Sequence, residues 1–286
     1  MLKATRKKRL NRRLGGDIAI FVFLGLVGAF MLLPFIYALV QSVKPLDEIF
    51  IFPPRFFVTS PTLENFSSLF KLAGTSWVPF TRYLFNSVFV SVTATAAHVI
   101  LASMAAFPLA KFRFPGSRTI FQVIVVSLLF TTEVTALPLY IVMSSLRLID
   151  TYGALICPAI GASLGLFLMK QFMSTIPDSM IEAARVDGAR TFTIYWKIIM
   201  PNVKPAWLTC VIFAFQGIWN NEGTQFIYDE AYKVLPTMFR QLSEGGIARA
   251  GVGAAAAVLL MIPPILIFVL SQGQVMETMA HSGMKD

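Results

Sequence analysis

Residues 14–43 read LGGDIAIFVFLGLVGAFMLLPFIYALVQSV, and from Ile18 to Val43 no side chain carries a charge. About 20 such residues, rising 1.5 Å each as a helix, cross the hydrocarbon core of a bilayer. Directly before them lie Lys3, Arg6, Lys7, Lys8, Arg9, Arg12 and Arg13, seven of the chain's 24 Lys and Arg within 13 residues. A basic cluster next to a long apolar run marks the cytoplasmic end of a membrane span. The run exceeds the roughly 7–15 residues of a signal-peptide core and no A-x-A-like cleavage site follows, so it is expected to be a retained first helix behind a cytoplasmic segment, 1–16.

Composition agrees over the whole chain of 286 residues: 56% are hydrophobic and 14% charged, with mean hydropathy +0.69. A soluble domain carries about 25% charged residues, so the deficit indicates a membrane protein. The net charge of +9 is a matter of where the basic residues stand next to spans, and it does not indicate a nucleic-acid partner. Cys157 and Cys210 fall in apolar segments, where small hydrophobes are the better reading than a disulfide or metal pair.

Six segments are apolar enough to span, near 17–43, 83–110, 120–146, 152–172, 204–221 and 251–272. With the N-terminus inside, sixteen of the 24 Lys and Arg fall on the inner side, in short segments beside the spans. Both termini are therefore expected in the cytoplasm, with 273–286 as a cytoplasmic tail, in a multi-pass protein of a cell membrane. The outer side receives two longer loops, 44–82 and 222–250. Small residues recur within the spans (Ala94, Ala102, Ala106, Gly161, Gly165, Ala254 to Ala257), and these let helices approach closely in lipid. The expected fold is an all-α integral membrane bundle.

The inner segment between the fourth and fifth spans carries the most information. It reads Ile176-Pro177-Asp178-Ser179-Met180-Ile181-Glu182-Ala183-Ala184-Arg185-Val186-Asp187-Gly188-Ala189-Arg190 and continues to Ile198-Ile199-Met200-Pro201. Pro177 and the polar pair after it can open a helix, Ala183 and Ala184 favour it, and Asp187-Gly188 can break it with a turn. A second short helix from Thr191 to Ile199 is expected to stop at Pro201. The two alanines would leave a shallow surface, a docking element with nothing catalytic in it.

Glu182-Ala183-Ala184, Asp187-Gly188-Ala189 and Ile198-x-Met200-Pro201 resemble the EAA motif of ABC importer permeases, the MalG-like carbohydrate permeases above all, with Met200 in the usual Leu position. Pro61-Thr62-Leu63-Glu64-Asn65-Phe66, Asn86-Ser87, Ala110-Lys111-Phe112-Arg113-Phe114-Pro115-Gly116 and Pro138-Leu139-Tyr140 are similar to that family at matching places. The resemblance covers about residues 15–286. It implies six transmembrane helices over 17–272 in the type I (MetI-like) permease fold, with a coupling loop at about 173–203. Glu182, Ala183, Ala184, Asp187, Gly188, Ala189 and Pro201 would form the element seated in a separate ATPase, Glu182 pairing with a basic group there. Implied partners are a second homologous permease, two cytoplasmic ATPase subunits and an extracytoplasmic solute-binding protein, in a prokaryotic inner or plasma membrane. The implied solute is a carbohydrate, as an oligosaccharide. The tail from Thr278 to Asp286 departs from the family's T-A-G-A-V-K-G-like ending while keeping comparable small-residue and Lys spacing.

Several side chains have two readings. Glu133, the one carboxylate inside an expected span, either serves the translocation pathway or hydrogen-bonds a neighbouring helix. His98 is either packed and satisfied or a substrate ligand. Trp219, Asn220 and Asn221, similar to the family's W-N-(D/E), either line the outer mouth or form an interfacial aromatic with a loop cap. Pro158, Pro263 and Pro264 are expected to kink their helices. Gln241-Leu242-Ser243-Glu244-Gly245-Gly246 has a superficial likeness to an ATPase signature but lies on the outer side. The chain has no G-x-x-x-x-G-K-[ST], so ATP chemistry must come from a partner and no cofactor, metal or catalytic residue is expected. The rival is a stand-alone carrier driven by protons through Glu133.

Overall fold

The computed structural model describes residues 14–244 and 246–282. The basic cluster from Lys3 to Arg13, Gly245, and residues 283–286 with Lys285 lie outside the described residues. Fourteen α-helices are described in order: α1 Leu14–Ser42, α2 Leu46–Ile49, α3 Glu64–Gly74, α4 Phe80–Lys111, α5 Ser117–Ser127, α6 Thr132–Ser145 and α7 Tyr152–Ile160. They continue with α8 Ser163–Thr175, α9 Asp178–Val186, α10 Thr191–Ile194, α11 Met200–Asn202, α12 Lys204–Trp219, α13 Leu235–Ser243 and α14 Ala250–Ser282.

Four helical stretches are long and apolar enough to cross a membrane: Gly15–Ser42, Phe80–Lys111, Tyr152–Thr175 (α7 and α8 together) and Ala250–Gly273. The other two expected spans are bent pairs. Ser117–Ser127 and Thr132–Ser145 meet at 111°, and Thr191–Asn202 and Lys204–Trp219 at 78°. Against the six spans expected, the described residues thus hold four spanning helices, or up to six if each bent pair is one span. Local chemistry explains both breaks. The Ser127 hydroxyl donates back to the Ile124 carbonyl (2.7 Å) and its Oγ accepts from the Ser163 hydroxyl (2.5 Å), while Thr131 takes extended backbone and starts the next helix. At Val203 the chain lies between Pro201 and Pro205, neither of which can donate the backbone bond that would carry one helix through. Pro201 does not end the second inner helix as expected: a π turn over Tyr195–Ile199 and the turn of α11 carry it to Asn202.

α4 is the centre of the bundle, packed against α7, α8 and α12. Its buried positions follow the helical repeat, with Asn86, Val90, Ala94, His98, Ala102 and Ala106 each four residues apart. The alanines bring α8 close. A Cβ placed on Gly165 of α8 would lie 2.1 Å from His98 Nε2, so that crossing exists only because residue 165 has no side chain. Three apolar cores result. One joins α4 and α8 to the segment 176–210, a second joins α3, α13 and α14 to the end of α12, and a third lies around α7 and residues 226–234. α1 packs chiefly on α14, and none of its most apolar stretch is buried.

Candidate functional site

The segment that resembles a coupling element is welded to one end of the bundle. Ile181 and Ala184 on the inner face of α9 are buried, as are Ile194, Tyr195 and Ile199 after it. The turn between them is a Schellman cap. Gly188 N donates to Arg185 O (3.0 Å) and Ala189 N to Ala184 O (2.9 Å), with Gly188 at φ +78°, where a residue without Cβ is favoured. Of the two alanines expected to form a shallow outer surface, only Ala183 faces out; Ala184 is turned into the protein's own core. Helical spacing requires this, because Ala184 follows Ile181 by three residues on the same face.

Lys111, the last residue of α4, fixes where this element starts. Its side chain is 3% exposed and meets Asp178 Oδ1 at 2.8 Å, and it also donates to the Ile176 carbonyl. The Lys111 ammonium, by hydrogen bond first and charge second, holds the Asp178 carboxyl below the ordinary aspartate range. Further along, Tyr195 shares a 2.6 Å hydrogen bond with Ser103 of α4, and the Arg185 guanidinium lies 5.8 Å from the Phe112 ring centroid. What remains outward is partly apolar, among exposed charges that include Glu182, Asp187, Arg190 and Lys197. Val186 is 89% and Phe192 65% exposed, with Met180 and Trp196 also exposed, and among the described residues the Glu182 carboxylate makes no hydrogen bond or ion pair. The motif pointed to Glu182. Val186, Phe192 and Trp196 were not anticipated, although the alternation of apolar residues with buried Ile181 and Ile194 carried the signal.

At its other end α4 pins a loop in the same manner. Asn86 Nδ2 donates to Ala231 O (2.9 Å) and Lys233 O (2.8 Å), and its Oδ1 accepts from Tyr152 (2.7 Å). Ser87 Oγ accepts from Leu235 N (2.7 Å), and Tyr83 donates to Glu230 (2.6 Å). This gives Asn86-Ser87, noted in the sequence for its resemblance alone, a structural task.

Between those ends lies a cavity of about 310 Å³ among α6, α7, α8 and α12. Its lining is largely apolar, and its polar groups include His98, Thr132, Asn221 and Gln225. The three expected mouth residues diverge. Trp219 is buried, stacks on Phe215 with centroids 5.6 Å apart and donates from Nε1 to Leu260 O (3.0 Å). Asn220 borders a separate cavity with Phe35, Gln216 and Pro264. Asn221 lines the cavity beside His98 and also caps its loop through Gly223 N (2.9 Å). Glu133 stands exposed in the first turn of α6 and does not line the cavity, although its neighbour Thr132 does. His98 is buried and its Nδ1 is 3.1 Å from Ile160 O, which satisfies one ring nitrogen while the ring forms part of the wall.

The profile of one protein family, the binding-protein-dependent transport system inner membrane component, matches residues 98–279, more than half of the chain. The chain belongs to this family. This permease is 32% identical over 234 residues to protein LplC of Bacillus subtilis, covering 79% of the chain and 75% of the relative. It is 28% identical over 273 residues to the arabinooligosaccharides transport system permease protein AraQ of Halalkalibacterium halodurans, covering 93% and 94%. To the sn-glycerol-3-phosphate permease protein UgpE of Yersinia enterocolitica it is 29% identical over 280 residues, covering 92% and 95%. Its fold is that of a chain in the crystal structure of a bacterial ABC transporter involved in the import of the acidic polysaccharide alginate, with TM-score 0.74 over 93% of this chain and 99% of that one at 21% identity.

The permease is thus a multi-pass, non-catalytic transmembrane component of an ABC-type importer. Membership overturns the rival reading of a stand-alone proton-driven carrier.

Proposed function

We propose that the permease is one half of the pathway of an ATP-driven importer of carbohydrate, with oligosaccharides as its substrate class. The observation that carries this is the coupling loop: a rigid, Gly-capped helix anchored by Lys111 to the central helix, which presents Glu182, Ala183, Val186 and Phe192 to a partner. Two cytoplasmic ATPases, a second homologous permease and an extracytoplasmic solute-binding protein complete the assembly. Glu182, Ala183, Asp187 and Gly188 face the ATPase, while Ala184, Ala189 and Pro201 shape the element from behind. Each bent pair counts as one span, giving six within 17–272, with the N-terminus and the tail after 272 in the cytoplasm.

α4 suits the role of the moving part. Over 32 residues it is about 48 Å long, and its ends hold the coupling loop and the loop 229–235. Closure of the ATPases would be felt at both faces through one stiff element, biasing a two-state pathway by differential contacts. The carbohydrate assignment is supported by the relative named for arabinooligosaccharides and by the alginate importer. The test is purification through a tag on this chain from its native membranes. Recovery with a P-loop ATPase and a second permease, and ATP-dependent uptake of labelled oligosaccharide by the reconstituted complex, are expected. Recovery of the chain alone, with uptake that needs no ATP, would sink the proposal.

A further inference from the structure

The stretch that follows α1 is built inside out. Lys44 is 2% exposed and its ammonium donates to Arg55 O (2.6 Å). The buried Glu48 carboxylate accepts the backbone N–H groups of Thr59 (3.0 Å) and Ser60 (2.8 Å), bonds that, Thr59 first and against the opposing effect of burial, keep it below the ordinary carboxylate range. Asn65 Nδ2 ties the structure to the end of α1 through Ser42 O (2.9 Å) and Lys44 O (2.8 Å). The polar groups are turned inward and satisfied, while the large apolar ones point out. Phe52 is 92% and Phe57 72% exposed, and Phe50 is also exposed. In water that arrangement is unfavourable, since the fixed backbone prevents these rings from clustering away from solvent.

We propose that residues 50–57 are an interfacial anchor, with Phe50, Phe52 and Phe57 seated at the boundary between headgroups and acyl chains of the leaflet remote from the coupling loop. The occupant is lipid for two reasons. The loop folds back along α1 until Phe56 meets Tyr37, ring centroids 5.8 Å apart. Tyr37 is five residues before the end of α1, about 7.5 Å inside the helix, so the loop descends to the depth of a span. The surface it extends is the face of α1, itself unburied along its apolar window. Exposed Arg55 suits the same boundary, where a long basic side chain reaches lipid phosphate while its stem stays in apolar surroundings. Trp77, fully exposed shortly before α4 begins at the same end of the bundle, fits an aromatic belt.

The test uses the full importer complex reconstituted in phosphatidylethanolamine–phosphatidylglycerol vesicles. Exposed Cys157 is replaced by Ala, and an environment-sensitive fluorophore is attached at Phe52→Cys or Phe57→Cys; Cys210 is buried and takes no label. Because Phe52 touches almost nothing in the chain, its replacement leaves the fold intact. The same label at Lys71→Cys on α3 is the aqueous reference. Blue-shifted emission at 52 and 57, lost on adding lipid spin-labelled just below the headgroup and retained with iodide, is expected. Quenching by iodide as strong as at residue 71 would overturn the proposal. So would protection from both quenchers, which would mean that a protein partner covers the loop.

Discussion

Gly188→Val is the sharpest perturbation of the coupling loop. Gly188 sits at φ +78°, and a Cβ there would meet no atom within 4 Å, so the substitution acts on the backbone and not on packing. A β-branched residue held in left-handed geometry costs about 1–3 kcal/mol, or about 5- to 150-fold in the population of the capped conformation. The Schellman bonds to Arg185 O and Ala184 O would be released, and α9 would lose its fixed angle to the segment 191–202. ATP-dependent uptake in proteoliposomes, normalised to complex inserted, should fall within that range. Gly188→Asn should retain most of the activity, since Asn tolerates the left-handed region. Wild-type uptake by the Val variant would refute the reasoning. Equal loss in the Asn variant would refute it as well, by showing that side-chain bulk and not backbone geometry matters.

Other outcomes follow from the same geometry. Lys111→Met keeps the volume but unpins α9, so ATP hydrolysis should persist while uptake per ATP falls, as paired assays on one preparation would show. Asp178→Asn should have a smaller effect in the same direction. Because the Asp178 carboxyl is depressed below its ordinary value of 3.8, its pairing is complete above that value and lost only as pH falls through the lower folded one. The difference between wild type and Asp178→Asn should therefore be flat between about pH 5 and 8. Gly165→Ala drives a methyl into His98 and should destabilise by about 1–3 kcal/mol, read as a lower Tm in detergent, with recovery in the double variant carrying His98→Ala. Trp219→Phe preserves the stack on Phe215 but leaves Leu260 O unpaired, at about 1–3 kcal/mol if water does not enter, and should leave solute affinity unchanged.

Periodicity and hydropathy located the spans because they depend on chain composition along one axis. They could not show that 117–145 turns through 111°, since a hydropathy window is blind to direction and the break contains neither Gly nor Pro. The helix of residues 178–186 and the turn after it were legible as a local pattern of Pro177, the alanines and Asp187-Gly188. Which alanine faces inward required the partner surface of α4. Trp219 is a similar case: its hydrogen bond to Leu260 O on α14 joins residues 41 apart and leaves no local trace. Lys111 appeared only as part of a resemblance, because an ion pair 67 residues apart in sequence leaves no local trace.

The central claim is that α9 docks into an ATPase, and cross-linking from Val186→Cys in a Cys157→Ala background tests it most directly. In native membranes, a short thiol–amine reagent should join residue 186 to a protein with a P-loop, in a yield that changes when a non-hydrolysable ATP analogue is added. Absence of any adduct with a P-loop protein, while the complex remains active in uptake, would contradict the account.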